Sequence, residues 1–420
     1  MQVKRNLKSL RTTKMFLVML AIVEMSISST AAQDVYVGGY VGAMGIGKPA
    51  VWKNEVPIIL SENNGMIYSL VVDKGNVYAA GYEKLDTCVC ATLWKDDVVL
   101  YSFCGGFSTT INSVAVSGNG SVYMSGEING VGKVWKDSVE QSGYANLSRA
   151  YSIFISDEDV YVAGISTDIK AVVWKNGTEL YTLTVSEYNY AKSVVVADDN
   201  VYTAVYGVTD EGYLIPHVFK NDTMLYVLDA ICPIESSSYP LGLYVSDNGD
   251  IYMAGSDGEG WGNSVAKLWK NGESVPLDLG GMASTYAFSV FVSGDNVYVV
   301  GYEPWSFYKA LLWKDGKLTT LPSNGGAYSV FVVKNGTNIE ELTIENEKLR
   351  FYPNPTNDKF IVDFEGIATI KLYDLLGREV LTQTAKGKTE IEINHLPKGI
   401  YSVQILSEGR IIGNSNVVKQ

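Results

Sequence analysis

Tyr286-Ala-Phe-Ser-Val-Phe-Val-Ser293, then Gly294-Asp-Asn296, then Val297-Tyr-Val-Val-Gly301 reads as two short strands rich in Val, Tyr and Phe around a tight turn. Just beyond, Ala310-Leu-Leu-Trp-Lys314 and Lys317-Leu-Thr-Thr-Leu321 flank Asp315-Gly316, a second hairpin. The unit is therefore four strands with no helical periodicity. The pattern returns every forty to fifty residues between Asp34 and Val333. Val-Tyr or Ile-Tyr recurs from Val35-Tyr36 to Val297-Tyr298. Trp-Lys recurs from Trp52 to Trp313, replaced once by Phe219-Lys220. Ser-Val or a close variant runs from Ser69 to Ser329, and seven copies carry all three markers. Four short strands repeated in this way predict a β-propeller, in which radial packing protects the strand edges.

The phase of the repeat predicts how the ring closes. With the order Ser-Val strand, Val-Tyr strand, Trp-Lys strand and outer strand, the first copy lacks its innermost strand. At the other end, Ala327 to Val333 is an inner strand without a blade. The two defects complement each other, so the expected fold is all-β: a seven-bladed propeller over residues 33–335 closed by the last inner strand. The recurring Trp and Tyr are expected to pack between blades.

After a polar, acidic linker at 336–350, a different pattern begins. Lys359-Phe-Ile-Val-Asp-Phe364, Thr369-Ile-Lys-Leu-Tyr373, Glu390-Ile-Glu-Ile393 and Ile400-Tyr-Ser-Val-Gln-Ile405 alternate apolar and polar residues, as half-buried strands do. They predict a small immunoglobulin-like β-sandwich over 351–420. Phe351-Tyr-Pro-Asn-Pro355, Leu372-Tyr-Asp-Leu-Leu-Gly-Arg378 and Leu396-Pro-Lys-Gly-Ile-Tyr401, ending in Lys419, resemble the type A C-terminal sorting domain of the type IX secretion system. The matching positions include Pro353, Asn354, Pro355, Asp374, Gly377, Arg378, Gly399, Tyr401 and Lys419. The resemblance implies passage through the outer-membrane translocon, the type IX machinery as a partner, and a location at the cell surface or outside the cell. Trp174-Lys-Asn-Gly177 and Trp269-Lys-Asn-Gly272 are similar to Trp-Lys-Asn-Gly repeat proteins, a family that implies no particular activity.

The N-terminus fits export. Lys4, Arg5, Lys8, Arg11 and Lys14 precede an apolar run of about nine residues and then Thr30-Ala31-Ala32, which predicts a cleaved signal peptide at 1–32. The apolar run is too short to span a bilayer, so no transmembrane segment is expected after cleavage. Losing five positive charges and one negative takes the net charge from −13 to −17, which disfavours nucleic acid as a partner. In an exported chain disulfides persist, and a turn at Lys95-Asp96-Asp97-Val98 would bring Cys104 opposite residues 89 and 90. A Cys90–Cys104 bridge is plausible on that register, with Cys88 and Cys232 competing. The cysteine spacing fits no zinc pattern, so neither a metal nor a cofactor is expected.

Catalytic motifs are missing. Gly42-Ala-Met-Gly-Ile-Gly-Lys48 imitates a phosphate loop but is followed by Pro49 where Ser or Thr is needed, and no helix follows. The only histidines, His217 and His395, leave no material for a triad. Loop carboxylates at Asp210, Glu211, Asp257, Glu259 and Glu303 keep a carbohydrate-active enzyme as the alternative. Two tryptophans lie outside the repeat, Trp261 and Trp305, in loops of adjacent blades with Tyr302 and Tyr308 nearby. Rings beside polar groups suit a binding module for a glycan or protein ligand, and these four residues are its candidate site. A structural surface or adhesion component is the third reading.

Overall fold

The computed structural model describes residues 33–230, 232–233, 241–258, 263–305, 308–334, 350–353, 355–363, 366–374, 378–407 and 410–419. The expected signal peptide, linker positions 336–349, Trp261, Glu259, Asn354 and Gly377 lie outside the described residues. Among the described residues every element is a strand, and no helix is long and apolar enough to cross a membrane. The architecture is all-β, built from antiparallel sheets mostly of four strands, which is consistent with a propeller.

The second copy shows the unit: Asn64–Asp73, Asn76–Lys84, Val89–Lys95 and Val98–Gly105 pair in chain order. The third, fourth and sixth copies repeat it, and the fifth adds Cys232–Pro233 against Tyr213–Lys220. The first and seventh copies share one seven-stranded sheet. Within it Lys317–Lys334 is a single strand where the sequence predicts two. It does not break because Asn324 faces Lys309 on one side while the adjoining Gly325 faces Val41 on the other. Its second half pairs along the whole of Gln33–Val41, from Gln33↔Lys334 to Val41↔Gly325.

The sequence markers meet across strands. Each Val-Tyr tyrosine stands opposite a Trp-Lys lysine, from Tyr36↔Lys53 to Tyr298↔Lys314. In all seven copies the ammonium lies 5.2–5.7 Å from the ring centroid. The Asn or Asp after each lysine adopts a left-handed φ of 49–57°, as these short side chains tolerate. Its Oδ1 accepts from the amide of the Val or Ile that precedes the tyrosine, at 2.8–2.9 Å in every copy. The six repeat tryptophans are at most 2% exposed and Phe219 is 4% exposed, so these rings are core.

Serine links one copy to the next. Ser69, Ser113, Ser152, Ser289 and Ser329 accept from the amides of Val114, Ile153, Val194, Val330 and Leu70 at 3.0–3.3 Å. Just before each of these serines the inner strand carries one extra residue, a β-bulge. In these five copies a carbonyl of the inner strand crowds the repeat glycine opposite, whereas the fifth copy has Val205 opposite its bulge at Lys192. A Cβ on Gly81 would lie 1.9 Å from the Met66 carbonyl oxygen, and one on Gly301 would lie 1.7 Å from that of Tyr286.

The C-terminal residues form two antiparallel sheets, one of Arg350–Tyr352, Lys359–Asp363 and Thr389–Glu392, the other of Glu379–Lys386, Ile367–Tyr373, Gly399–Ser407 and Arg410–Lys419. Phe360, Ile370, Leu372, Ile391, Val403 and Ile405 are fully buried in one core drawn from both sheets, the alternation that the sequence pattern predicts.

Candidate functional site

In a repeat, positions that recur serve the scaffold, and equivalent positions that vary are available for something else. Two such columns stand at the same end of the sheets. One is the bulged residue itself: Tyr68, Asn112, Tyr151, Lys192, Phe288 and Tyr328. The other follows the repeat glycine or its equivalent: Tyr40, Tyr82, Glu127, Ile165, Tyr206, Ser256 and Tyr302. Neither column has a fixed chemistry, yet the side chains of neighbouring copies meet there.

One arc is aromatic. Tyr328 lies 4.6 Å from Phe288, 5.6 Å from Tyr68, 5.9 Å from Tyr302 and 6.2 Å from Tyr40, measured between ring centroids. Tyr82 lies 6.0 Å from Tyr68, and Tyr308 lies 6.1 Å from Tyr302. Burial pushes the Tyr40, Tyr68, Tyr82 and Tyr328 phenols up, and in Tyr40 and Tyr328 the neighbouring tyrosines push further, so all stay neutral donors. The Tyr40 hydroxyl is buried and has no hydrogen-bond partner among the described residues.

The other arc is charged. The Lys192 ammonium sits 3.9 Å from the centre of the Tyr151 ring, and Arg149 Nε lies 3.9 Å from a Glu127 carboxylate oxygen. Burial, with Arg149 as a like-charged neighbour, brings the Lys192 pKa down to about 7, while Glu127 pulls the other way. Burial likewise raises the Glu127 carboxyl, against the pull of Arg149 and Lys192. Glu127 is an electrostatic neighbour of Tyr68, so the two arcs adjoin.

Of the residues singled out in the sequence, Trp305 is 53% exposed, whereas Tyr302 is buried at 5% and belongs to the aromatic arc with Tyr308. Glu303 and Asp257 end the strands Asn296–Glu303 and Ile251–Asp257 instead of lying in loops, with Glu303 buried 4.0 Å from Lys309 and Asp257 3.7 Å from Lys267; Asp210 and Glu211 are exposed. Tyr40, Tyr82, Glu127, Arg149, Tyr151, Lys192 and Tyr328 escaped the sequence reading. Aligning the copies on the repeat glycine and on the residue before Ser-Val would have exposed both variable columns.

Two other regions are not this site. Grooves of about 330–440 Å³ open between copies, each including a Tyr–Lys pair of the scaffold, such as Tyr252 with Lys270 or Tyr123 with Lys136. Cys90 and Cys104 stand opposite one another and are disulfide-bonded, with the Cys88 sulfur 3.6 Å from that of Cys90. The three sulfurs lie within 4.8 Å of one another, but two are tied up in the bond.

In the C-terminal part, Pro353 and Pro355 are exposed and Gly399 is half-buried. Arg378 donates to Asp374 through its side chain and its amide, at 2.7 and 3.0 Å. The buried Lys419 ammonium donates to the carbonyls of Ile393 at 2.6 Å, Asn394 at 2.9 Å and Leu396. Tyr401 donates its hydroxyl to the Pro397 carbonyl at 2.6 Å.

Residues 350–419 match the family model described as the secretion system C-terminal sorting domain. The type IX sorting domain brings the chain to the type IX machinery and indicates export to the outer-membrane surface or the extracellular space. No curated protein matches the chain. Among solved structures, a protein of unknown function from Bacteroides caccae is 8% identical, with 72% of this chain and 100% of that one covered and a TM-score of 0.39. A triple arginine-to-alanine variant of AofleA from Arthrobotrys oligospora is 12% identical, covering 72% and 93%, also at a TM-score of 0.39. A GH43 endo-arabinanase from Bacillus licheniformis is 9% identical, covering 60% and 95%, at 0.29. Scores this low bear on no functional argument.

Proposed function

We propose that residues 33–335 are a seven-bladed β-propeller closed by the pairing of Gln33–Val41 with the second half of Lys317–Lys334, and that it is an exported binding module for a glycan or protein ligand. Residues 1–32 are its signal peptide, 336–350 a linker and 351–420 the sorting domain. The binding face is the mouth of the propeller axis, with Trp305 at its rim. One observation carries this reading: side chains that the repeat does not require, on bulges of neighbouring copies, meet in a single cluster of aromatic and charged groups. Aromatic faces beside buried polar groups are what a small-molecule or saccharide site needs.

The test is a binding screen of the whole exported chain against immobilised glycans and matrix proteins. It runs beside a Tyr82→Ala, Tyr328→Ala double variant and a Trp305→Ala variant, each checked for folding by its thermal melt. The reading predicts a hit that the double variant loses. A hit that survives there moves the site off the axis, loss in Trp305→Ala alone confines it to the rim, and the absence of any hit contradicts a binding module.

A further inference from the structure

Glu83, Cys90 and Cys104 stand side by side across three strands, Glu83 opposite Cys90 and Cys90 opposite Cys104, so their side chains share one face of the sheet. Cys90 and Cys104 are disulfide-bonded, and Cys88 carries a free thiol whose sulfur lies 3.6 Å from that of Cys90. A thiolate within reach of a disulfide exchanges with it by attacking one sulfur and expelling the other. Three sulfurs within 4.8 Å of one another therefore allow more than one pairing.

The surroundings decide which sulfur leaves. Expelling Cys90 would put a thiolate at a fully buried position opposite the buried Glu83 carboxylate, where burial and like charge both oppose it. Ser61 and Asn63 hold Glu83 in that place, donating to one of its oxygens at 2.7 and 2.9 Å. Expelling Cys104 puts the thiolate on an exposed residue with the Ser102 hydroxyl 3.9 Å away. Cys104 lies on Val98–Gly105, the outer strand of its sheet, which pairs among the described residues with Val89–Lys95 alone. Attack requires the nucleophile in line with the bond that breaks, and the short distances put Cys88 beside that line. Cys88 is half-buried and ends a turn at 85–88 that the Leu85 amide closes on the Cys88 carbonyl at 2.9 Å, so it is the side chain that turns.

We propose that Cys88, Cys90 and Cys104 form a thiol–disulfide exchange site that loads a small thiol onto Cys104 from a small-molecule disulfide. In the first step the Cys88 thiol gives its proton to water, its sulfur bonds to Cys90, and the electron pair of the Cys90–Cys104 bond goes to Cys104. In the second the Cys104 thiolate attacks the disulfide RSSR, bonds one of its sulfurs and releases the other as a thiolate, which takes up a proton as RSH. Cys88 is the sulfur oxidised and the released RSH the one reduced, so the disulfide is the sole oxidant.

The experiment treats the whole exported chain with hydroxyethyl disulfide, blocks the remaining thiols with N-ethylmaleimide at mildly acid pH, and maps tryptic peptides by mass spectrometry without reduction. Cleavage after Lys84, Lys95 and Lys133 puts Cys88 and Cys90 on one peptide, 85–95, and Cys104 on another, 96–133. The expected result is the hydroxyethylthio adduct on 96–133 together with an internal disulfide in 85–95, and at least about tenfold less of that adduct in Cys88→Ser. Iodoacetamide applied to the wild-type chain alone is a readout that depends on no variant, and exchange predicts alkylation of 96–133 as well as 85–95. An adduct on 85–95 with its link to 96–133 intact, or an adduct on 96–133 undiminished in Cys88→Ser, overturns the proposal. Alkylation confined to 85–95, or no adduct on either peptide, overturns it equally.

Discussion

The Ser329 hydroxyl accepts a 3.0 Å hydrogen bond from the Leu70 amide, joining the last inner strand of the repeat to the second copy. The same bond runs from Ser113 to Ile153 in the middle of the chain. In a closed ring the two serines do equal service. Ser329→Ala and Ser113→Ala should therefore each cost about 1–2 kcal/mol, by leaving an amide short of an acceptor. Chemical denaturation gives both values. A Ser329→Ala change near zero beside a costly Ser113→Ala would mean that the two ends do not meet.

Gly301 faces the Tyr286 carbonyl, two residues before the Phe288 bulge. A methyl there would sit 1.7 Å from the Tyr286 oxygen, so Gly301→Ala must displace backbone and should destabilise by about 2–4 kcal/mol. Gly118 has nothing within 4 Å of its would-be Cβ, and Gly118→Ala should stay within about 0.5 kcal/mol. Denaturation midpoints of the two variants separate steric exclusion from a general effect of losing glycine.

Asn271 combines a left-handed φ of 52° with a 2.8 Å bond from the Ile251 amide. Asn271→Ala loses both advantages and should cost about 1–2 kcal/mol. Asn271→Asp should also cost about 1 kcal/mol, because the Asn271 amide donates to Asp250 at 2.7 Å and a second carboxylate would face it, whereas Asp96, Asp137 and Asp315 have Asn76, Ser121 and Asn296 at that place. A thermal melt decides between a specific turn and a generic polar surface.

Much of the scaffold was legible because its requirements repeat. The tyrosine and lysine of each copy face each other, and the residue after the lysine must be Asn or Asp, so both left a periodic trace in the sequence. Alternation likewise marked the strands that bury Phe360 and Ile391. The site was less legible for the opposite reason. Glu127, Arg149 and Lys192 differ from their counterparts in other copies, and only the packing of successive copies brings them together. Tyr302 was found for its aromatic character, but its ring is buried among Tyr286, Phe288 and Tyr328 rather than exposed beside Trp305.

Lys419 anchors the end of the sorting domain through three carbonyls in the segment from Ile393 to Leu396. Lys419→Met fills the same space but leaves those acceptors without a charged donor. It should cost about 2–3 kcal/mol in the C-terminal unfolding transition and leave that of the repeat region unchanged. Scanning calorimetry of the whole chain separates the two, and a shift of both transitions would contradict a local clamp.

The aromatic arc needs the proposed closure, because only a closed ring would bring Tyr328 beside Tyr68 and Tyr40. Tyr36 stands opposite Phe331 in the ladder between Gln33–Val41 and Lys317–Lys334, whereas the Val330 amide turns away to Ser289. The most direct measurement is amide hydrogen exchange over residues 33–41 in the wild-type chain and in Phe331→Pro, where proline removes the amide that faces Tyr36 and disturbs the pairing. The account predicts slow exchange at 33–41 in the wild type and its loss in the variant. Fast exchange in the wild type, or protection that survives the proline, would contradict closure and with it the axial site.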